Sequence, residues 1–281
     1  MIFFWEIMNP RTFQCIRLFA AALCICINNS DARTATWDGE GISSCRWLDP
    51  ANWINDTPPQ SGIDSVLLQP TNHSVEPQLF GTFIVGVGKH IRSNDEGFKG
   101  ILRIGDGGHL IIAQGATLDL TSAGAYSLAE GHGSMRLTIE GGASVKLQNF
   151  FNGNGLLQDH TTEFIANQSG ITTVAVNNTP VIIGGRLEID LKQYNLSNGR
   201  ELVLFTYSEY SGQSTGFEEI LLSEGWSGTI DYHYTTGNGL KAIAMTDLEN
   251  KGAYVDIPEP KSYGLILSGL TAVAALIRRR R

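Results

Sequence analysis

Leu110-Ile111-Ile112-Ala113-Gln114-Gly115-Ala116-Thr117-Leu118-Asp119-Leu120 is followed, 27 residues later, by Leu137-Thr138-Ile139-Glu140-Gly141-Gly142-Ala143-Ser144-Val145-Lys146-Leu147. Both stretches join two short alternating strands through a Gly-containing corner, and they superpose without a gap. A period of 20 to 30 residues made of short strands and Gly turns is the expected sign of a β-solenoid, whose coils bury their inward side chains on one another. Alternation points Leu110, Ile112, Leu118, Leu120, Leu137, Ile139, Val145 and Leu147 inward, and Asp119, Thr138, Glu140 and Lys146 outward. Another 27 residues on, Phe164-Ile165-Ala166, Ser169-Gly170 and Thr172-Thr173-Val174 read as a degraded copy. A shorter echo links Leu102-Arg103-Ile104 to Leu110-Ile111-Ile112 with a step of eight.

The expected fold is therefore all-β: a short right-handed parallel β-solenoid over 71–183, followed by a C-terminal β region over 184–246. An antiparallel β-sandwich shows the same alternation and stays open as the alternative. Parallel pairing between the Leu110 and Leu137 segments separates the two. In the C-terminal region Arg186–Leu191 and Ile230–Tyr234 alternate strictly, Glu201–Tyr207 is more apolar, and 215–223 reads as one short helix or a strand.

Composition supports this class. The 281 residues include 32 Gly, only 17% charged residues and a net charge of −8, which favours Gly-punctuated β structure and argues against a nucleic-acid partner. Between 33 and 260 there are 13 Lys+Arg against 26 Asp+Glu, a net of −13, so contact with an anionic polysaccharide would need bridging cations.

Both termini read as addresses. Arg11 and Arg17 precede an apolar run from Leu18 to Ile27, and Ser30-Asp31-Ala32 offers a cleavage site. This predicts a signal helix over 1–32, handled by the Sec translocon and signal peptidase, with translation starting at Met1 or Met8. Cys15, Cys24 and Cys26 leave with it, so the exported chain keeps Cys45 alone and has no internal disulfide.

At the other end, Pro258-Glu259-Pro260 precedes an apolar run from Tyr263 to Ile277 and then Arg278, Arg279, Arg280 and Arg281. The prolines bar a regular helix. A helix over 262–277 would be roughly 24 Å long, and snorkelling arginines make up its shortfall against a ~30 Å hydrocarbon layer. The arginines would stay on the cytoplasmic side. Residues 247–256 read as a polar linker in front of this unit, 257–281.

This ending resembles the PEP-CTERM sorting signal of exported bacterial proteins. The resemblance implies an exosortase as partner, processing near Pro258, Glu259 and Pro260, transient anchoring in the inner membrane through the C-terminal helix, and delivery to the cell surface or extracellular matrix.

Residues 33–70 form a Trp-rich opening: Thr36-Trp37-Asp38-Gly39, Trp47, Asn52-Trp53, Pro58-Pro59 and Asp64. The pattern resembles the start of β-solenoid surface proteins, including autotransporter-like passengers with autotransporter-associated β-strand repeats. Trp37, Trp47 and Trp53 are read either as a plug over the first rung or as a carbohydrate-stacking platform facing an exopolysaccharide.

Residues that carry chemistry are sparse. The six His (73, 90, 109, 132, 160 and 233) lack ligand spacing and read mostly as surface or turn residues. No zinc motif, nucleophile elbow, phosphate loop or EF-hand appears, so no metal or cofactor is expected. Asp106, Asp119 and Glu140 would be the carboxylates of a polysaccharide-degrading enzyme, but turn and outward-strand positions suit solvated groups. The expectation is a noncatalytic exported surface or matrix protein, with a carbohydrate-binding module or a polysaccharide-degrading β-helix enzyme as alternatives.

Overall fold

The computed structural model describes residues 33–40, 45–69, 76–93, 101–122, 128–130, 134–152, 160–177, 181–208 and 216–251. The expected signal helix (1–32), sorting signal (257–281) and its helix (262–277) lie outside the described residues, as do His73 and His132.

The described chain is all-β. After β1 (Thr34–Trp37) come two 3-10 turns, Pro50–Asn52 and Ile54–Asp56, and then β2 (Ser65–Leu68). Five coils of three strands follow. The first is β3 (Gln78–Leu79), β4 (Thr82–Val85) and β5 (His90–Ser93). The second is β6 (Leu102–Ile104), β7 (Gly108–Ile112) and β8 (Thr117–Leu120). The third is β9 (Leu128–Glu130), β10 (Met135–Glu140) and β11 (Ser144–Leu147). The fourth is β12 (Phe150–Asn152), β13 (His160–Ile165) and β14 (Val174–Val176). The fifth is β15 (Val181–Ile183), β16 (Arg186–Asp190) and β17 (Leu202–Tyr207). A single strand β18 (Glu219–Leu222) and a hairpin of β19 (Trp226–Thr235) and β20 (Lys241–Asn250) close the stack.

Equivalent strands of successive coils pair in parallel and build three sheets: β3-β6-β9-β12-β15, then β4-β7-β10-β13-β16-β18, and a nine-stranded β1-β2-β5-β8-β11-β14-β17-β20-β19. We refer to them as the first, second and third faces, in the order the chain meets them. The Leu110 and Leu137 segments pair in parallel, Leu137 opposite Leu110 and Ile139 opposite Ile112, which excludes the antiparallel sandwich. The solenoid also continues beyond residue 183, through Tyr207, because β16 stays in register with β13. Among the named strands, antiparallel pairing begins where β20 meets β17. Segment 215–223 contains a strand, β18, and 247–250, expected as linker, belong to β20.

The 27-residue superposition is the observed register on two faces, Leu137 with Leu110 and Val145 with Leu118. The proposed third copy is displaced. Phe164 pairs with Ile139, a step of 25, and Val174 with Val145, a step of 29. The corner that follows is four residues longer than its counterpart between β10 and β11, and there Asn167 and Gly170 form an isolated bridge. Slips of two leave every side chain on its original face, because the strand period is two. The step of eight from Leu102 to Leu110 is the walk from one face to the next around the Gly105–Gly107 corner. It is not a rung.

All eight residues expected to point inward are buried. Full burial of each such Leu, Ile or Val contributes about 1.5–3 kcal/mol. Between the fourth and fifth coils the core is aromatic: Phe205 stacks on Phe150 at 5.3 Å and meets Phe164 edge-on at 5.6 Å. His160 departs from the surface role expected of the histidines, being fully buried between Met135 of β10 and the β16 coil. Its space depends on Gly185, where a Cβ would stand 2.5 Å from the His160 carbonyl oxygen.

Candidate functional site

Trp37, Trp47 and Trp53 are all buried, at 0%, 1% and 1% exposure. Trp53 meets Trp37 and Trp47 edge-on at 5.2 and 5.0 Å, and Trp47 meets Phe83 of the first coil at 5.2 Å. The Trp53 indole N–H donates to the Trp47 carbonyl oxygen at 2.6 Å. These rings cannot serve as a carbohydrate-stacking platform, since no face is left for a sugar. The cause is positional: the first coil is preceded only by an incomplete rung, and its core is covered by the largest side chains available.

Backbone pairing completes that end. Gln78 donates its N–H to the Cys45 carbonyl and accepts from Trp47 N–H, both at 2.8 Å. Ile84 donates its N–H to Ser61 Oγ at 2.8 Å and accepts from Gly62 N–H at 2.7 Å. Residues 45–47, 61–62 and β2 thus act as a rudimentary preceding coil, one segment for each face.

Outside this plug the surface is concave. A shallow groove of about 690 Å³ is lined by Cys45, Arg46, Leu48, Asp49, Gln78 and Phe80 among others. Leu48 is 59% and Phe80 39% exposed. The Arg46 guanidinium carbon stands 5.9 Å from the Phe80 ring centre, a cation–π distance. Asp49 Oδ1 accepts from Ala51 N–H at 3.2 Å and so starts the first 3-10 turn. Cys45 is a free, half-buried thiol.

The candidate carboxylates are not brought together as an acid–base pair. Asp106 Oδ1 accepts from Ser134 N–H and Oγ–H at 3.0 and 3.2 Å. Asp119 Oδ1 accepts from Thr121 N–H and Oγ–H at 3.2 and 2.7 Å. Glu140 Oε2 accepts from Gln114 N–H at 2.8 Å. Each fastens a turn or a neighbouring coil. Among the described residues no three His, Cys, Asp or Glu side chains gather as a metal cluster. Pro258, Glu259, Pro260 and Arg278–Arg281 lie outside the described residues.

Sequence reading missed a polar ladder across the outside of the second face. His109 Nε2 lies 2.8 Å from Thr138 Oγ1, and Thr138 donates to Glu163 Oε2 at 2.6 Å. Because the hydroxyl hydrogen is committed to Glu163, Thr138 accepts from a protonated His109 Nε2. Arg136 pairs with Glu163 at 2.9 Å and Glu188 at 2.5 Å, and Arg186 reaches Glu219 at 2.7 Å. Thr138, expected in water, is consequently 3% exposed beneath these longer side chains. The signal was present in the rows Arg136/Thr161/Arg186 and Thr138/Glu163/Glu188, and it emerges only once the 25-residue steps are known.

The ladder fixes protonation states. Burial opposes the charge on Glu163, but hydrogen bonds from Arg136 and Thr138 outweigh it and hold the carboxyl below its ordinary value. For His109, burial and then the Arg136 charge lower the imidazole, with Glu163 opposing. The side chains cross-link consecutive coils.

Comparison of the chain with protein-family models, curated proteins and solved structures returned no match.

Proposed function

We propose that this chain is an exported, noncatalytic β-solenoid protein of the cell surface or extracellular matrix, sorted by an exosortase. One observation carries the reading: Pro258-Glu259-Pro260, the apolar run to Ile277 and Arg278–Arg281 stand in that order. The body supports it in kind. A parallel coil stack presents regular polar faces, holds together without disulfides, and owes its solubility outside the cell to an acidic surface. A signal helix over 1–32, a right-handed coil and a helix over 262–277 belong to the same proposal.

The test is the mature C-terminus of the chain recovered from an exosortase-bearing bacterium, read by mass spectrometry. The expected product ends near Pro258–Pro260 and lacks the arginine cluster. Replacing Pro258, Glu259 and Pro260 with alanine should leave the chain full-length and membrane-bound. A surface form that retains Arg281, or a chain that stays in the cytosol, overturns the proposal.

A further inference from the structure

Charge is sorted by face. On the second face Arg136 and Arg186 are spent on Glu163, Glu188 and Glu219. On the third face Lys89, Arg92 and Lys146 have no ion pair among the described residues. Arg92 and Lys146 share one cross-strand row, in which Arg92 stands opposite Asp119 and Asp119 opposite Lys146. Each of the three lies between buried neighbours on its own strand, so alternation turns it outward, and both cations are exposed. Two strand spacings, roughly 10 Å, separate Arg92 from Lys146. The adjacent row carries half-buried His90, Thr117 and Ser144. Burial, then Arg92 and Lys89, hold the His90 imidazole below its ordinary value, in keeping with a locally positive surface. Asp119 Oδ1 is engaged by Thr121, which leaves Oδ2 as an acceptor.

We infer that the middle of the third face is a binding strip for a linear acidic polysaccharide, an extended polyuronide lying along the solenoid axis. The row selects the occupant, because it presents cation, carboxylate and cation at equal steps. In an extended polyuronide whose successive sugars face opposite ways, two carboxylates on one side flank a sugar that turns hydroxyls to that side. Arg92 and Lys146 receive the carboxylates, Asp119 Oδ2 accepts from the hydroxyl between them, and Thr117 and Ser144 supply further hydroxyl partners. A densely charged polyanion fits less well, since it would set a phosphate against Asp119. The net charge of −13 between 33 and 260 averages over all faces, and on this strip an anionic chain needs no bridging cation. The inference does not depend on the sorting signal.

Titration calorimetry of the full chain in mild detergent, with a chelator present to remove divalent cations, provides the test. The probes are oligomannuronate, the matching neutral oligomannan and inorganic polyphosphate. Oligomannuronate should bind saturably and more weakly as salt rises, and oligomannan should not bind. Arg92→Glu and Lys146→Glu should each weaken binding about fivefold, and together about 25-fold, with urea midpoints unchanged because both side chains are exposed. Lys192→Glu makes the same charge change on an exposed side chain beyond β16 and should leave affinity unaltered. Asp119→Asn should weaken oligomannuronate binding and strengthen that of polyphosphate. No binding in the absence of divalent cations overturns the inference, as does equal binding of oligomannan, or a loss in Lys192→Glu as large as that in Lys146→Glu. Wild-type chain that prefers polyphosphate would assign the strip to dense polyanions instead.

Discussion

Gly141 sits where the third coil turns from β10 to β11, and a Cβ there would stand 2.6 Å from the Gly170 carbonyl oxygen and 2.7 Å from Asn167 N of the next coil. Both obstacles are backbone, so no side chain can swing aside. Restoring an ordinary 3.4 Å contact requires the coils to part by about 0.8 Å at that corner. The 2.7 Å hydrogen bond from Gly141 N–H to the Ile165 carbonyl would then stretch to the limit of a useful bond. Overpacking of this kind costs about 1–3 kcal/mol, and a lost buried hydrogen bond adds about 1 kcal/mol. Gly141→Ala should therefore destabilise the body by about 2–4 kcal/mol. Urea unfolding followed by tryptophan fluorescence measures it through the midpoint at constant slope. Gly81→Ala is the control: no atom lies within 4 Å of its Cβ, so only its left-handed backbone, φ 76°, costs about 1–2 kcal/mol. A change below about 0.5 kcal/mol for Gly141→Ala would mean that the third and fourth coils are not stacked in the described register.

Trp53→Ala should cost about 3–5 kcal/mol, because it empties the plug and removes the donor to the Trp47 carbonyl; a stability loss under 1 kcal/mol in urea unfolding would contradict its burial. With Trp5 and Trp226 replaced by phenylalanine, tryptophan emission should not shift with added saccharide, and a saturable blue shift would contradict the burial of all three cap rings. Acidification should weaken the fold in two stages, read from urea midpoints against pH. His109 and Glu163 both have lowered folded-state values, so each contributes fully above its unfolded value and loses that contribution as pH falls through the folded one. The His109 stage begins near 6.5 and should vanish in His109→Gln, while the Glu163 stage begins near 4.5 and should vanish in Glu163→Gln; unchanged pH profiles in both variants would refute the ladder.

The solenoid could be read from sequence wherever successive coils have equal length. Leu110, Leu118, Leu137 and Val145 announce their own pairing because both corners between them are built alike. Legibility failed at Phe164 and Val174, where the chain shortens one side and lengthens the next corner, so a fixed period misaligns both. The hairpin of β19 and β20 was equally hidden, since alternation records which face a residue takes and not which way its neighbour runs. Thr138 and His160 were misplaced because their burial is set by residues one or two coils away. The three tryptophans were correctly singled out as a group, but whether rings cover a core or meet a ligand depends on what lies above them. That is a property of the pole and not of the residues.

The hairpin turns the last face back on itself, so that Lys251 bonds to Gly225 at the outer edge. The nine-stranded face separates this point from the tryptophan plug by eight spacings of about 4.8 Å, or roughly 38 Å. If the chain is anchored beyond Lys251, as proposed, the body is held by one tip and displays the other. The tryptophan plug would then stand roughly 38 Å from the attachment point, the geometry of a spacer projecting from a surface and not of a layer lying along it.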